Sequence, residues 1–299
     1  MRVVVVINKW WECDPALAAM LNNNTRPAGA PWPTALQPTR RVPEQANEQN
    51  LDPLPRAVFG YKNFSAEVWC VSDLLDGLTT DVQSSSEQKA KRLHKIFEYG
   101  QRAGLVIAVG TASTPSVGVN RNGGVVVGTS VFMHNGYPND TNPTSNFESK
   151  SFDRLIESSI SPAMFEKIQS MDSVSALNRF LPVPLNPGLS VDISIGLGDV
   201  ALGTINVTQS ADYTTKDPLT IQAFQALGTK AVPVSLETTH ALIREKAEDS
   251  PFIFVSGIVN RFQQFGTDVV PRLDAQNTIG AHNAGVVVTW MLSSLDAQL

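Results

Sequence analysis

Three uninterrupted apolar runs, VVVVI at 3–7 within the strand RVVVVI at 2–7, LVIAV at 105–109 and PFIFV at 251–255, set the tightest limit on how this chain folds. A strand with one wet face alternates polar and apolar residues, whereas β-branched runs without alternation belong to strands covered on both faces. Such strands occur in parallel or mixed sheets between helical layers. The segments around them supply those layers. Residues 85–102 place Leu93, Ile96 and Phe97 on one helical face with charges opposite, Ser85 or Ser86 as cap and Gly104 as stop. Residues 280–292 read as a C-terminal helix packed on the sheet. With 299 residues and 42% hydrophobic content the chain can build one large core. The expected architecture is α/β, a single domain over 1–299 with a central mixed β-sheet flanked by helices.

Two segments interrupt that pattern. Residues 22–56 carry seven prolines and little periodicity, the pattern of a functional loop or an interface arm, with Arg26, Arg40 and Arg41 either as anion ligands or as ordinary surface charges. Residues 147–160 and 162–180 show amphipathic helical spacing that ends at Pro182, Pro184 and Pro187, which predicts a helical insertion at about 147–187.

Composition excludes several classes of function. A net charge of −5 offers no basic surface for a nucleic-acid backbone. Cys13 and Cys70 lack metal or disulfide-framework spacing, so neither a metal nor another cofactor is expected. The first apolar run is too short for a signal peptide or a membrane span, which makes the cytoplasm the expected compartment.

The polar residues that follow the apolar strands point to a site, because ligands of open α/β sheets sit beyond the carboxyl ends of strands. After the first strand come Trp10, Trp11 and Glu12, two aromatics and a carboxylate that suit a ligand mouth better than a core. Pro15 is placed to open a helix over 16–21. After the strand at 105–109, Gly110 and Thr111 form a small-residue turn that lets a ligand approach the backbone. Val234-Ser235-Leu236 ends a strand at Glu237, with a helix over 238–247, and the run at 251–255 continues through Ile258 and Asn260 to Arg261. Glu237 and Arg261 are thus expected in one crevice.

At these residues the chain resembles a family. SLET at 235–238, followed by SGIVNRFQQF at 256–265, is similar to segments of the nucleoside phosphorylase and nucleosidase superfamily; GTAS at 110–113 and GGVVV at 123–127 resemble its turn and strand segments. The resemblance implies the same fold, a nucleoside-like small-molecule substrate, phosphate as a second substrate in the phosphorylase members, and a homo-oligomer. It also assigns roles. Glu237 corresponds to the glutamate that binds ribose hydroxyls, Glu12 to the glutamate that activates water in nucleosidases, and Arg261 to a base contact. Trp11, Gly110, Thr111, Tyr213, Leu236, Ile258 and Asn260 are the implied substrate-binding residues. His134 stands where nucleosidases often carry a histidine and is either a ligand contact or a structural hydrogen-bonding group.

Departures from the family pattern bear on the chemistry. Gly257 occupies the place of the aspartate that protonates purines, so a keto-bearing base leaving as an anion on Arg261 is expected. Leu17 and Ala108 replace the two arginines that hold phosphate, which favours hydrolysis with Glu12 as general base over phosphorolysis. A binding protein without turnover is the reading from another class. For Glu237 and Arg261 there are plain structural roles as well: Glu237 as the cap of the helix it opens, and Arg261 as a bridge to Asp268 or Glu237.

Overall fold

The computed structural model describes residues 1–22, 33–36, 54–74, 86–98, 100–135, 152–169, 193–205, 212–269 and 273–299. Its centre is a twelve-stranded mixed sheet. β1 (Arg2–Ile7) lies between β4 (Ser65–Cys70) and β5 (Leu105–Ser113), parallel to both. The five residues of β1 from Val3 to Ile7 are fully buried and divide by parity. Val3, Val5 and Ile7 join one core cluster while Val4 and Val6 join the other, as the two-residue repeat of a strand requires. That division is why the run shows no polar alternation.

α1 (Trp10–Leu21) and the C-terminal helix, which runs over Leu273–Gln298, cover the first cluster. They approach closely enough that a side chain on Gly285 would strike the Ala16 backbone. α2 (Ser86–Glu98) covers the second cluster, with Leu93 and Ile96 packed near Leu242 and Ile243 of a short helix over His240–Lys246.

β5 organises the site. Val106–Val109 pairs with β1 on one side and with the strand Phe252–Asn260 on the other. Past Val109, β1 has ended, and β5 runs on beside Phe252–Asn260 until Ser113 meets Leu236 in an antiparallel contact. A crevice therefore opens over Gly110 and Thr111, at a point where the strand order branches.

The remaining strands extend the sheet. β2 (Pro33–Leu36) and β3 (Ala57–Gly60) form an antiparallel edge on β4. β6 (Val125–Gly128) runs antiparallel to Phe252–Asn260, and β7 (Ser130–Asn135) pairs antiparallel with β8 (Arg154–Ile156). α3 (Pro162–Gln169) follows, then β9 (Ile193–Ile195) parallel to β6, and β10 (Val200–Ile205) between β7 and the strand Pro233–Glu237. In chain order the later elements are α4 (Asp212–Ala226), β11 (Pro233–Glu237), α5 (His240–Lys246), β12 (Phe252–Asn260), α6 (Phe265–Asp268) and α7 (Leu273–Gln298).

Two expectations are corrected. The helix foreseen over 147–160 is, in its described part, strand β8 followed by an irregular segment, because edge pairing of 154–156 with β7 decides the conformation. Pro15 lies inside α1 rather than at its start, since the helix already begins at Trp10. Helix α3 matches the spacing at 162–169, whereas 147–151 and 170–187 lie outside the described residues. So do Arg26, Arg40 and Arg41. No helix among the described residues is long and apolar enough to cross a membrane.

Candidate active site

Glu12 stands in the first turn of α1 with its carboxylate in the crevice floor. Its Oε1 accepts hydrogen bonds from the Thr111 N–H and the Thr111 hydroxyl, both at 2.8 Å, and its Oε2 accepts the Lys9 N–H at 3.2 Å. Burial raises its pKa above the ordinary glutamate value, opposed by the Thr111 and Lys9 hydrogen bonds and the nearby His240. Gly110 makes the approach possible. A Cβ there would lie 3.3 Å from Glu12 Oε1 and 3.3 Å from His240 Nε2, so the absent side chain leaves the space in which carboxylate and imidazole face one another.

His240 was not foreseen from the sequence. It begins α5, buried, with its ring stacked on Phe254 and its Nδ1 3.4 Å from the Ser256 hydroxyl, which donates onward to Ser235 Oγ at 3.2 Å. Two residues of strand β12 and one of β11 thus support it from below. The only sequence signal was its place three residues after Glu237.

Glu237 ends β11, only 7% exposed. Its Oε2 accepts the N–H groups of Thr239 and His240, the latter at 2.8 Å, and so it caps α5. Its Oε1 is buried without a hydrogen-bond partner among the described residues. A buried carboxylate oxygen left one partner short costs about 1–3 kcal/mol or more. The capping role and a ligand-binding role therefore fall to different oxygens of one side chain.

The other sequence candidates divide. Thr111 and Gly110 are in the site. Trp11 is half-buried on α1, while the side chains of Leu236 and Ile258 are buried and pack in the core rather than facing the crevice. Asn260 is buried and donates to the Arg261 carbonyl at 2.9 Å. The side chain of Tyr213 lies outside the described residues. Arg261 is held by Asp268 through its Nε at 3.0 Å and its Nη2 at 2.7 Å, and Asp268 also accepts from Asn122 Nδ2 at 3.2 Å. No hydrogen bond or ion pair among the described residues joins Arg261 to Glu12 or Glu237. His134 Nδ1 lies 2.5 Å from Asp153 Oδ1, a structural partner.

Gly257 has a steric cause. A side chain at that position would run into the Gly280 backbone of α7, so an acidic residue has no room there while α7 packs as it does. Among the described residues no three histidine, cysteine or carboxylate side chains converge as a metal site.

One more charge belongs to this place. Lys89, in the first turns of α2, is 7% exposed and lies near enough to Lys9, Glu12 and Glu237 to feel all three charges. Burial and Lys9 lower its pKa to about 8, against the opposing pull of the two carboxylates.

No protein-family model matches this chain, and no curated protein matches it. Solved structures do. A point mutant of the Helicobacter pylori 5'-methylthioadenosine/S-adenosyl homocysteine nucleosidase, with 5'-methylthioadenosine in the active site, aligns at a TM-score of 0.55 and 12% identity, covering 98% of each chain. Futalosine hydrolase of Helicobacter pylori aligns at 0.57 and 11% identity, covering 98% of this chain and 97% of that one. The Arabidopsis thaliana 5'-methylthioadenosine nucleosidase in apo form aligns at 0.54 and 14% identity, covering 98% and 95%. The chain has the nucleoside phosphorylase and nucleosidase fold.

Proposed function

We propose that the protein is an N-glycosidase that hydrolyses the bond between sugar and base in a nucleoside or nucleoside-like metabolite. The observation that carries this reading is the pair of held carboxylates, Glu12 and Glu237, with Glu237 Oε1 left open. The fold shared with nucleosidases supports it.

In this mechanism Glu237 Oε1 accepts a sugar hydroxyl, and the bond strengthens as positive charge grows on the ring. Glu12, kept basic by burial, takes a proton from water while the water oxygen bonds to C1′. The C1′–N bond breaks and its electron pair leaves with the base. Arg261, its guanidinium plane set by Asp268, is assigned to a carbonyl of that departing anion, which takes its proton from solvent. Hydrolysis is favoured over phosphorolysis because both Thr111 donors already hold the Glu12 carboxylate and so are not free to bind a phosphate nucleophile.

Release of free base from a nucleoside panel, with phosphate removed and then restored, tests the reading. Release without phosphate, lost in Glu12→Gln while the ligand still binds, is the expected result. Release that needs phosphate would overturn it.

A further inference from the structure

Three buried arginines of this protein are matched. Arg2 is paired with Glu67, Arg56 with Asp73, and Arg244 donates to the carbonyls of Glu157 and Glu248. Lys89 departs from that rule. Among the described residues it makes no ion pair and no hydrogen bond, although it is more than nine-tenths buried. The neighbouring carboxylates are engaged without it: Glu12 by Thr111 and Lys9 N–H, Glu237 by the first N–H groups of α5. Lys89 therefore stands among charges with which it shares no hydrogen bond: Lys9 adds to its electrostatic load, and the Glu12 and Glu237 carboxylates offset that load without bonding it.

We infer that Lys89, beside Lys9, seats a phosphate group carried by the substrate, so that the substrate class is the sugar-phosphorylated nucleoside rather than the neutral nucleoside. A compact ammonium suits a phosphate oxygen as a point charge, and two lysines balance a dianion. The group belongs to the substrate and not to a nucleophile, because the Thr111 donors at the reacting side are occupied by Glu12. The inference rests on the N-glycosidase reading for the place of the sugar, and it locates the charge that the missing family arginines left unassigned.

The probes are uridine and inosine, their 5′- and 3′-monophosphates, and inorganic phosphate. Binding is measured by calorimetry on the Glu12→Gln protein, with and without Lys89→Met or Lys89→Arg, and base release on the wild-type enzyme. One phosphorylated series should bind at least about tenfold tighter than its parent nucleoside, as expected for one charge-assisted contact. Lys89→Met should erase that preference and Lys89→Arg retain most of it. Thermal melting controls for folding, and removal of a buried charge is expected to leave it intact. Equal affinity for nucleotide and nucleoside, or a preference that survives Lys89→Met, overturns the inference while leaving base release to stand on its own. Base release only with free inorganic phosphate overturns both readings. Lys89-dependent nucleotide binding without base release keeps the anion seat and removes the N-glycosidase.

Discussion

The two ends of the central strands treat polar groups in opposite ways. At the amino end, Arg2 is saturated: its guanidinium binds both oxygens of Glu67 at 2.9–3.1 Å, the Gln101 carbonyl at 2.8 Å and the Ile96 carbonyl at 3.2 Å. At the carboxyl end, Glu237 keeps one bare buried oxygen and Lys89 keeps no partner among the described residues. Both places are buried, so solvent does not explain the contrast. At this pair of places the group that serves the fold finds its partners within the chain, whereas the groups we propose to meet a ligand do not.

Breaking each end should therefore damage different properties. The largest effect is expected from Glu12→Gln, with kcat lowered about 10²–10⁴-fold, the range for loss of a general base, and little change in melting temperature. Arg2→Met should do the reverse. It leaves the part-buried Glu67 carboxylate with the Trp69 indole as its remaining donor among the described residues, costing about 1–3 kcal/mol of stability in denaturant melts, while turnover per folded molecule holds. Glu237→Gln keeps a hydrogen-bonding group but removes its charge, and kcat/KM should fall by about ten- to a hundredfold, consistent with loss of a charge-assisted bond.

Two milder effects follow from titration. The acid limb of the kcat profile should lie above the ordinary glutamate range, since the proposed base Glu12 acts only when ionised and burial raises its pKa; a limb at or below that range would remove Glu12 as the base. Asp217, on α4, offers a contrast. It is 2% exposed, with Oδ1 unpartnered among the described residues, and burial pushes its pKa up to about 8. A carboxyl raised in the folded state stabilises fully below the unfolded pKa and loses that contribution as pH rises toward the folded one. Stability of the wild type should therefore decline relative to Asp217→Asn by up to about 1.4 kcal/mol per pH unit between about pH 5 and 7. Parallel curves for the two proteins would show that Asp217 is ionised throughout.

Much of this architecture could be read from residue order. Continuous runs at 2–7, 105–109 and 251–255 can be buried only on both faces, and they are β1 and the cores of β5 and β12. Glu12 and Glu237 were visible because carboxylates directly after such strands have few other places to go. Lys89 and His240 were not. Lys89 falls among the charges of a strongly amphipathic helix, and helical spacing says which face is apolar but not that one lysine at its start is drawn inward. His240 depends on Gly110, more than a hundred residues away, for the room its ring occupies. The segment at 154–156 was misread because a short edge strand takes its conformation from the partner it pairs with, β7, and not from its own periodicity.

The contact of Gly285 with Ala16 joins the helix that carries Glu12 to the last helix of the chain. Geometry of that kind orders events in time as well as in space. The floor of the crevice needs β1, β5 and β12 side by side and α7 clamped over α1, all of them partners distant in sequence, and such non-local contacts form late. During refolding, ligand binding should lag behind the appearance of helical signal, because the Glu12 carboxylate reaches its place only when α1 and α7 have met.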